Sequence, residues 1–183
     1  MKKPINLIAV VALLPLSLSA QDRYATRNGH ITFHSSTPVE DIKGDNHKVT
    51  SVFDAGSGAV EFAVLVKAFD FEKALMQEHF NENYMESNTY PKAMFKGTFS
   101  GQPSGALKPG TYDVVAKGDL TIHGVTKPVE HKGKLIVAEN GSVKAESKFN
   151  VKPEDHDIAI PGVVRKNIAE VIEVTVSLDY QKM

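Results

Sequence analysis

Gly118-Asp119-Leu120-Thr121-Ile122-His123-Gly124-Val125-Thr126-Lys127-Pro128-Val129 reads as a strand, a tight corner and the start of a second strand. Leu120 and Ile122 alternate with Asp119, Thr121 and His123, the period-two pattern of a sheet that is wet on one face. Gly124 permits a backbone conformation that a side chain opposes, and Pro128 is expected to fix the exit of the turn while removing one ladder donor. A two-faced antiparallel corner follows from these residues. No chemistry does.

The same alternation extends in both directions. After a polar lead, Gln21 to Gly29, Ile31 and Phe33 share a face against Thr32 and His34. Lys48 to Asp54 forms a second strand, with Val49, Ser51 and Phe53 on one side, and Ala55-Gly56-Ser57-Gly58 supplies the glycines of a hairpin. Val60, Phe62, Val64 and Val66 mark a third strand. The period then changes. Phe71, Leu75 and His79 recur at four-residue spacing, which predicts a short amphipathic helix from Glu72 to about Phe80.

Tyr90-Pro91 re-enters the sheet, and Ala93, Phe95, Gly97 and Phe99 make strand four. Ser100 to Gly110 reads as a loop. Strand five sets Tyr112, Val114, Ala116, Gly118, Leu120 and Ile122 on one face, and strand six runs from Val129 to about Ala138. Asn140-Gly141 is a two-residue hairpin signal, because both positions tolerate positive φ. Strand seven alternates cleanly from Val143 to Val151. The last strand sets Ile172, Val174, Val176, Leu178 and Tyr180 on one face.

The pattern is all-β: eight half-buried antiparallel strands and one short helix. Such strands close most naturally into an up-and-down barrel, which abolishes exposed edges, although pattern alone leaves a sandwich open. At eight strands the interior either fills with side chains or holds one small ligand. Ala116, Gly118, Ala145, Ser147 and Gly97 among larger apolar residues suit a lumen and a tapered core equally.

The opening dodecamer resembles the signature of the YceI-like family of bacterial polyisoprenoid-binding proteins. Glu78-His79-Phe80, then Tyr90-Pro91, then Phe95-Lys96-Gly97 resembles that family's His-bearing helix, Tyr-Pro and Phe-bearing strand in the same order. The resemblance runs from about Ile31 to Tyr180. It implies a lipocalin-like barrel with an elongated apolar cavity. It also implies a carrier or sequestering protein for a long apolar ligand, an isoprenoid of polyprenyl or prenyl-quinone type, held by reversible encapsulation.

Strand parity, combined with the central cavity implied by the resemblance, selects the lining: Phe62, Val64, Phe95, Phe99, Tyr112, Val114, Leu120, Ile122, Phe149, Val174 and Val176. His79 and Arg165 are candidates for a polar head group. The Phe71 to Tyr84 and Ser100 to Gly110 segments are candidates for gating. Displacing water from apolar walls and an apolar tail contributes about 25 cal/mol per Å².

The chain has 183 residues, which suits one domain, and its first twenty are expected to be separate from it. Lys2 and Lys3, the apolar run from Ile5 to Leu18 and the small residues ending at Ala20 have the layout of a secretory signal peptide cleaved before Gln21. This leaves a barrel domain over 21–183 and predicts a periplasmic or secreted protein. With no cysteine there is no disulfide framework and no lipid-attachment thiol, so no stable membrane anchor is expected. The formal charge of −1 becomes −3 without the two signal lysines, which provides no footprint for nucleic acid.

No cofactor and no catalytic constellation is expected: there is no Gly-x-Ser-x-Gly elbow and no phosphate loop after a strand. The seven histidines suggest no metal site by spacing. His30 and His34 are about 13 Å apart on an extended strand. Two rivals to a carrier remain. One is an enzyme acting within the barrel, for which the inner face offers little beyond Tyr112, Tyr180 and Ser147. The other is a filled barrel serving as an interaction or stress-response protein, and a homodimer through an outer face is left open.

Overall fold

Nine strands and one helix make up the computed structural model, which describes residues 22–103 and 106–183. The expected signal segment lies outside the described residues. The strands are β1 (Arg23–Ser36), β2 (Asp41–Asp54), β3 (Ala59–Leu65), β4 (Asp70–Phe71), β5 (Lys92–Ser100), β6 (Gly110–Ile122), β7 (Val125–Val137), β8 (Val143–Val151) and β9 (Ile172–Lys182). The helix is α1 (Ala74–His79), continued by a wider π-type turn over Phe80–Tyr84.

Every strand pair is antiparallel, and β1 pairs with both β2 and β9. The meander therefore closes into an eight-stranded barrel. The two-residue β4 adds only to the rim, opposite Gly44 and Asp45 of β2. Antiparallel succession puts the 37–40, 66–91, 123–124 and 152–171 connections at one end of the barrel, and the 55–58, 101–109 and 138–142 connections at the other.

The corner that ends β6 is a two-residue turn. His123 and Gly124 have φ of 51° and 76°, the pair of left-handed conformations that matches the twist of a hairpin. A Cβ on Gly124 would lie 2.6 Å from a ring carbon of Tyr90, so the glycine also seats that ring. His123 is 9% exposed, with Nε2 2.9 Å from Glu86 Oε2 and Nδ1 3.2 Å from the His156 carbonyl. The motif thus joins the turn to two separate loops. Its role in the fold is structural.

Pro128 lies farther on than expected, three residues inside β7 and opposite Asp119. Counting from the turn, that position is a non-hydrogen-bonded pair, so its missing N–H faces away from β6. On that other side β7 pairs with β8 only from Gly133 to Val137. The proline therefore removes nothing from the sheet.

Three further expectations need correction. The polar lead is strand: β1 begins at Arg23, and β2 begins at Asp41 rather than Lys48. Val66 leaves the third strand for a 3-10 turn, Val66–Ala68. The helix spans six residues and buries none of them.

One end of the barrel is solid. Phe53 and Leu135 have no exposed surface, and Tyr24, Val143 and Tyr180 surround them. Phe53 packs against Tyr24, Phe99 and Tyr180 at ring-centroid distances of 6.2, 5.2 and 6.1 Å. Gly97 and Gly118 face each other across β5 and β6, and a Cβ on Gly118 would meet the Gly97 Cα at 2.5 Å. Their missing side chains let the two backbones approach closely.

Candidate ligand-binding cavity

The opposite end is hollow. A cavity of about 530 Å³ occupies it, within the range of small-molecule sites. Its walls come from alternate residues of the strands: Ile31 and Phe33 of β1, Phe62 and Val64 of β3, Leu120 and Ile122 of β6, Phe149 and Val151 of β8, and Ile172 and Val174 of β9. Inner residues of a strand line the cavity because every second Cβ points the same way.

Two segments roof it. One is the Phe69 to Met85 stretch that carries α1, and the other contributes Ile158, Ile160, Val164 and Ile168. Phe33, Phe69, Phe71 and Phe80 form a contiguous aromatic cluster, with Phe80 centred 5.0 Å from Phe71 and 5.3 Å from Phe33. Each such pair contributes about 0.5–1.5 kcal/mol beyond area burial. Leu75 nonetheless remains 61% exposed on the uncapped helix.

Polar groups reach the cavity from its rim. Glu40 receives a hydrogen bond from Asn167 Nδ2 at 3.1 Å and lies 3.9 Å from Lys73 Nζ. Ser35, 2% exposed, accepts from the Ala169 amide at 2.9 Å, so it is satisfied within the protein. Burial pushes the Tyr84 phenol above its ordinary range.

A smaller space of about 60 Å³ lies between the cavity and the solid end, bounded by Val60, Phe95, Phe99, Val114, His131 and Val176. Phe62, Leu120 and Phe149 face both spaces and form the partition between them. The two uses of small inner residues that pattern left open thus occur in one barrel. It is filled at one end and open at the other.

The sequence-selected residues separate accordingly. Phe62, Val64, Leu120, Ile122, Phe149 and Val174 line the main cavity, while Phe95, Phe99, Val114 and Val176 line the smaller space. Tyr112 lines neither, and its hydroxyl donates to the Lys108 carbonyl at 2.8 Å. His79 lines the cavity at its opening. Arg165 does not line it: the guanidinium donates to Glu154 Oε1 at 3.1 Å and to the Ile160 carbonyl at 3.4 Å. Of the two candidate gates, the helical segment roofs the cavity, whereas the Ser100 to Gly110 loop is at the opposite end.

One inward group escaped the sequence reading. His131 stacks on Phe149 where β7 and β8 cease to pair, and its Nε2 is buried without a hydrogen-bond partner among the described residues. Burial holds this imidazole below its ordinary pKa. The signal available in sequence was parity, since His131 shares a face with Val129, Gly133 and Leu135.

The sequence matches the YceI-like domain over residues 23–180. No curated protein matches it. Among solved structures, a polyisoprenoid binding domain from Saccharophagus degradans superposes with a TM-score of 0.72 at 13% identity, covering 89% of this chain and 99% of that one. BcnA of Burkholderia cenocepacia superposes with a TM-score of 0.65 at 18% identity, covering 84% and 96%. The YCEI protein of Campylobacter jejuni gives 0.51 at 12% identity, covering 100% and 99%. At these identities the likeness is one of fold.

Proposed function

The chain belongs to the YceI-like family, and from that premise we propose that it is a carrier or sequestering protein for a long apolar ligand of the isoprenoid class. The observation that carries this reading is the cavity of about 530 Å³, walled by apolar side chains and polar only at its rim. A hydrocarbon chain placed there loses water without leaving a buried donor or acceptor unpaired along most of its length. The Saccharophagus neighbour, a polyisoprenoid binding domain, agrees in ligand class.

Release and uptake are assigned to the α1 roof, which is short, uncapped and without a buried residue. Such elements open at small cost compared with a barrel strand. The N-terminal charge and apolar pattern supports work in the periplasm or medium. Among the described residues no helix is long and apolar enough to cross a membrane.

The test is native mass spectrometry of protein purified from a secreting bacterium without detergent, followed by organic extraction. A stoichiometric added mass that extracts as a prenyl lipid is the expected result. A clean ligand-free mass, with no uptake of added prenyl quinones or prenyl phosphates, overturns the proposal.

A further inference from the structure

The outer wall of the β1–β2 hairpin carries a cluster that the cavity does not use. Along β1 the register slips: Gly29 faces Val49, but Ile31 faces Asn46. His30 therefore stands opposite both His47 and Lys48, one residue against two, as in a β-bulge. Asn46 pins this arrangement from inside. It is fully buried, donates to the Leu65 carbonyl at 2.9 Å and accepts from the Lys48 amide at 2.8 Å.

The bulge brings two histidines, distant in sequence, together on one face. Their rings stack with centroids 4.1 Å apart and planes 6° from parallel. Asp45 joins them, with Oδ1 3.0 Å from His30 Nε2 and 2.8 Å from Thr32 Oγ1. One ligand atom from each of His30, Asp45 and His47 lies within 4.8 Å of the others. Asp45 Oδ2 is taken by Lys43 Nζ at 3.0 Å, which leaves Oδ1 facing the imidazoles.

We propose that His30, Asp45 and His47 form a surface site for a divalent transition cation of the Zn²⁺ or Cu²⁺ class. Two imidazoles and one carboxylate suit these ions over Mg²⁺ or Ca²⁺, and three protein ligands leave a position for water. His30 offers the ion its Nε2 lone pair as a neutral imidazole: the hydrogen between Nε2 and Asp45 Oδ1 is carried on Nδ1 instead, and only a doubly protonated ring would release one to solvent. His47 is exposed and turns its side chain to bring a nitrogen to about 2.0–2.1 Å from the ion. Spacing along one strand could not find this site, because its partners lie across a hairpin and depend on a bulge.

The site is on the outside of the barrel, whereas Ile31 beside it faces the cavity. It therefore does not depend on the lipid-carrier reading. The test is calorimetric titration of untagged protein with Zn²⁺ and with Cu²⁺, alongside H30A, H47A and H34A. The expected result is one ion per chain, weakened at least about tenfold in H30A and H47A and unchanged in H34A. His47 is exposed, so H47A is expected to fold even where H30A disturbs the seam. Absence of saturable binding by either ion, or binding undiminished in H47A, overturns the proposal.

Discussion

The imidazole of His131 lies on the ring of Phe149, with centroids 4.1 Å apart and planes 15° from parallel, just beyond the last ladder pair of β7 and β8, Gly133 with Ser147. The stack closes a gap that backbone hydrogen bonds leave open, and it does so with a titratable ring. Burial lowers the His131 pKa from 6.5, so below that pH the unfolded chain binds a proton that the folded chain resists. Stability therefore falls as the pH drops from 6.5 toward the folded value. H131F retains the stack and removes the proton site. The stability difference between H131F and wild type, from urea unfolding, is expected to be flat above about pH 7.5 and to shift in favour of H131F as the medium is acidified through the ordinary histidine range. A difference that does not vary with pH would show that the ring titrates in the folded state as it does in the unfolded chain.

Val174 and Val114 are both inward valines, 8% and 4% exposed, yet they face different spaces. Val174 borders the main cavity, so V174W has room to enter it and is expected to remain cooperative while losing most uptake of a fluorescent prenyl ligand. Val114 borders only the small space near the solid end. V114W overpacks it and is expected to cost about 1–3 kcal/mol in denaturant unfolding. Equal uptake by V174W and wild type would place the bound chain elsewhere.

How far the sequence foretold these features depended on what each inner face contained. β8 was legible from Val143 to Val151 because Val143, Ala145, Phe149 and Val151, with only Ser147 among them, alternate with the polar Lys144, Glu146, Lys148 and Asn150. β2 was missed before Lys48 because its inner positions there include Gly44 and Asn46, which carry no apolar signal although Asn46 is fully buried. β1 was missed before Ile31 because two register shifts break its period. The barrel walls followed from parity. The Ile158, Ile160 and Ile168 roof did not, since an irregular segment has no period from which to infer a face.

Gly124 combines two constraints that substitutions can separate. Its φ of 76° disfavours any L side chain, and a Cβ would crowd Tyr90. G124A is expected to lose about 1 kcal/mol or more, and pairing it with Y90A should recover only the steric part. Thermal melts of the two single variants and the double variant measure the coupling. Strict additivity would mean that Tyr90 moves aside without cost.

Tyr180 links the last strand to the hairpin that closes the barrel. Its hydroxyl is 2.7 Å from Ser51 Oγ, which in turn donates to the Glu61 carbonyl at 2.9 Å. Because the serine proton is committed to that carbonyl, Tyr180 is the donor. Y180F leaves the serine bonded to Glu61 and is expected to cost about 1 kcal/mol at neutral pH. Burial pushes the Tyr180 phenol from 10.0 up to about 12. Between those values the unfolded chain has lost a proton that the folded chain still holds, so stability falls as the pH rises, by at most about 1.4 kcal/mol per pH unit. Urea titrations at pH 9 and pH 11 are expected to show that loss in wild type and a smaller one in Y180F. Parallel losses in the two proteins would assign the alkaline sensitivity to other groups and leave the Tyr180 contact with only its neutral-pH contribution.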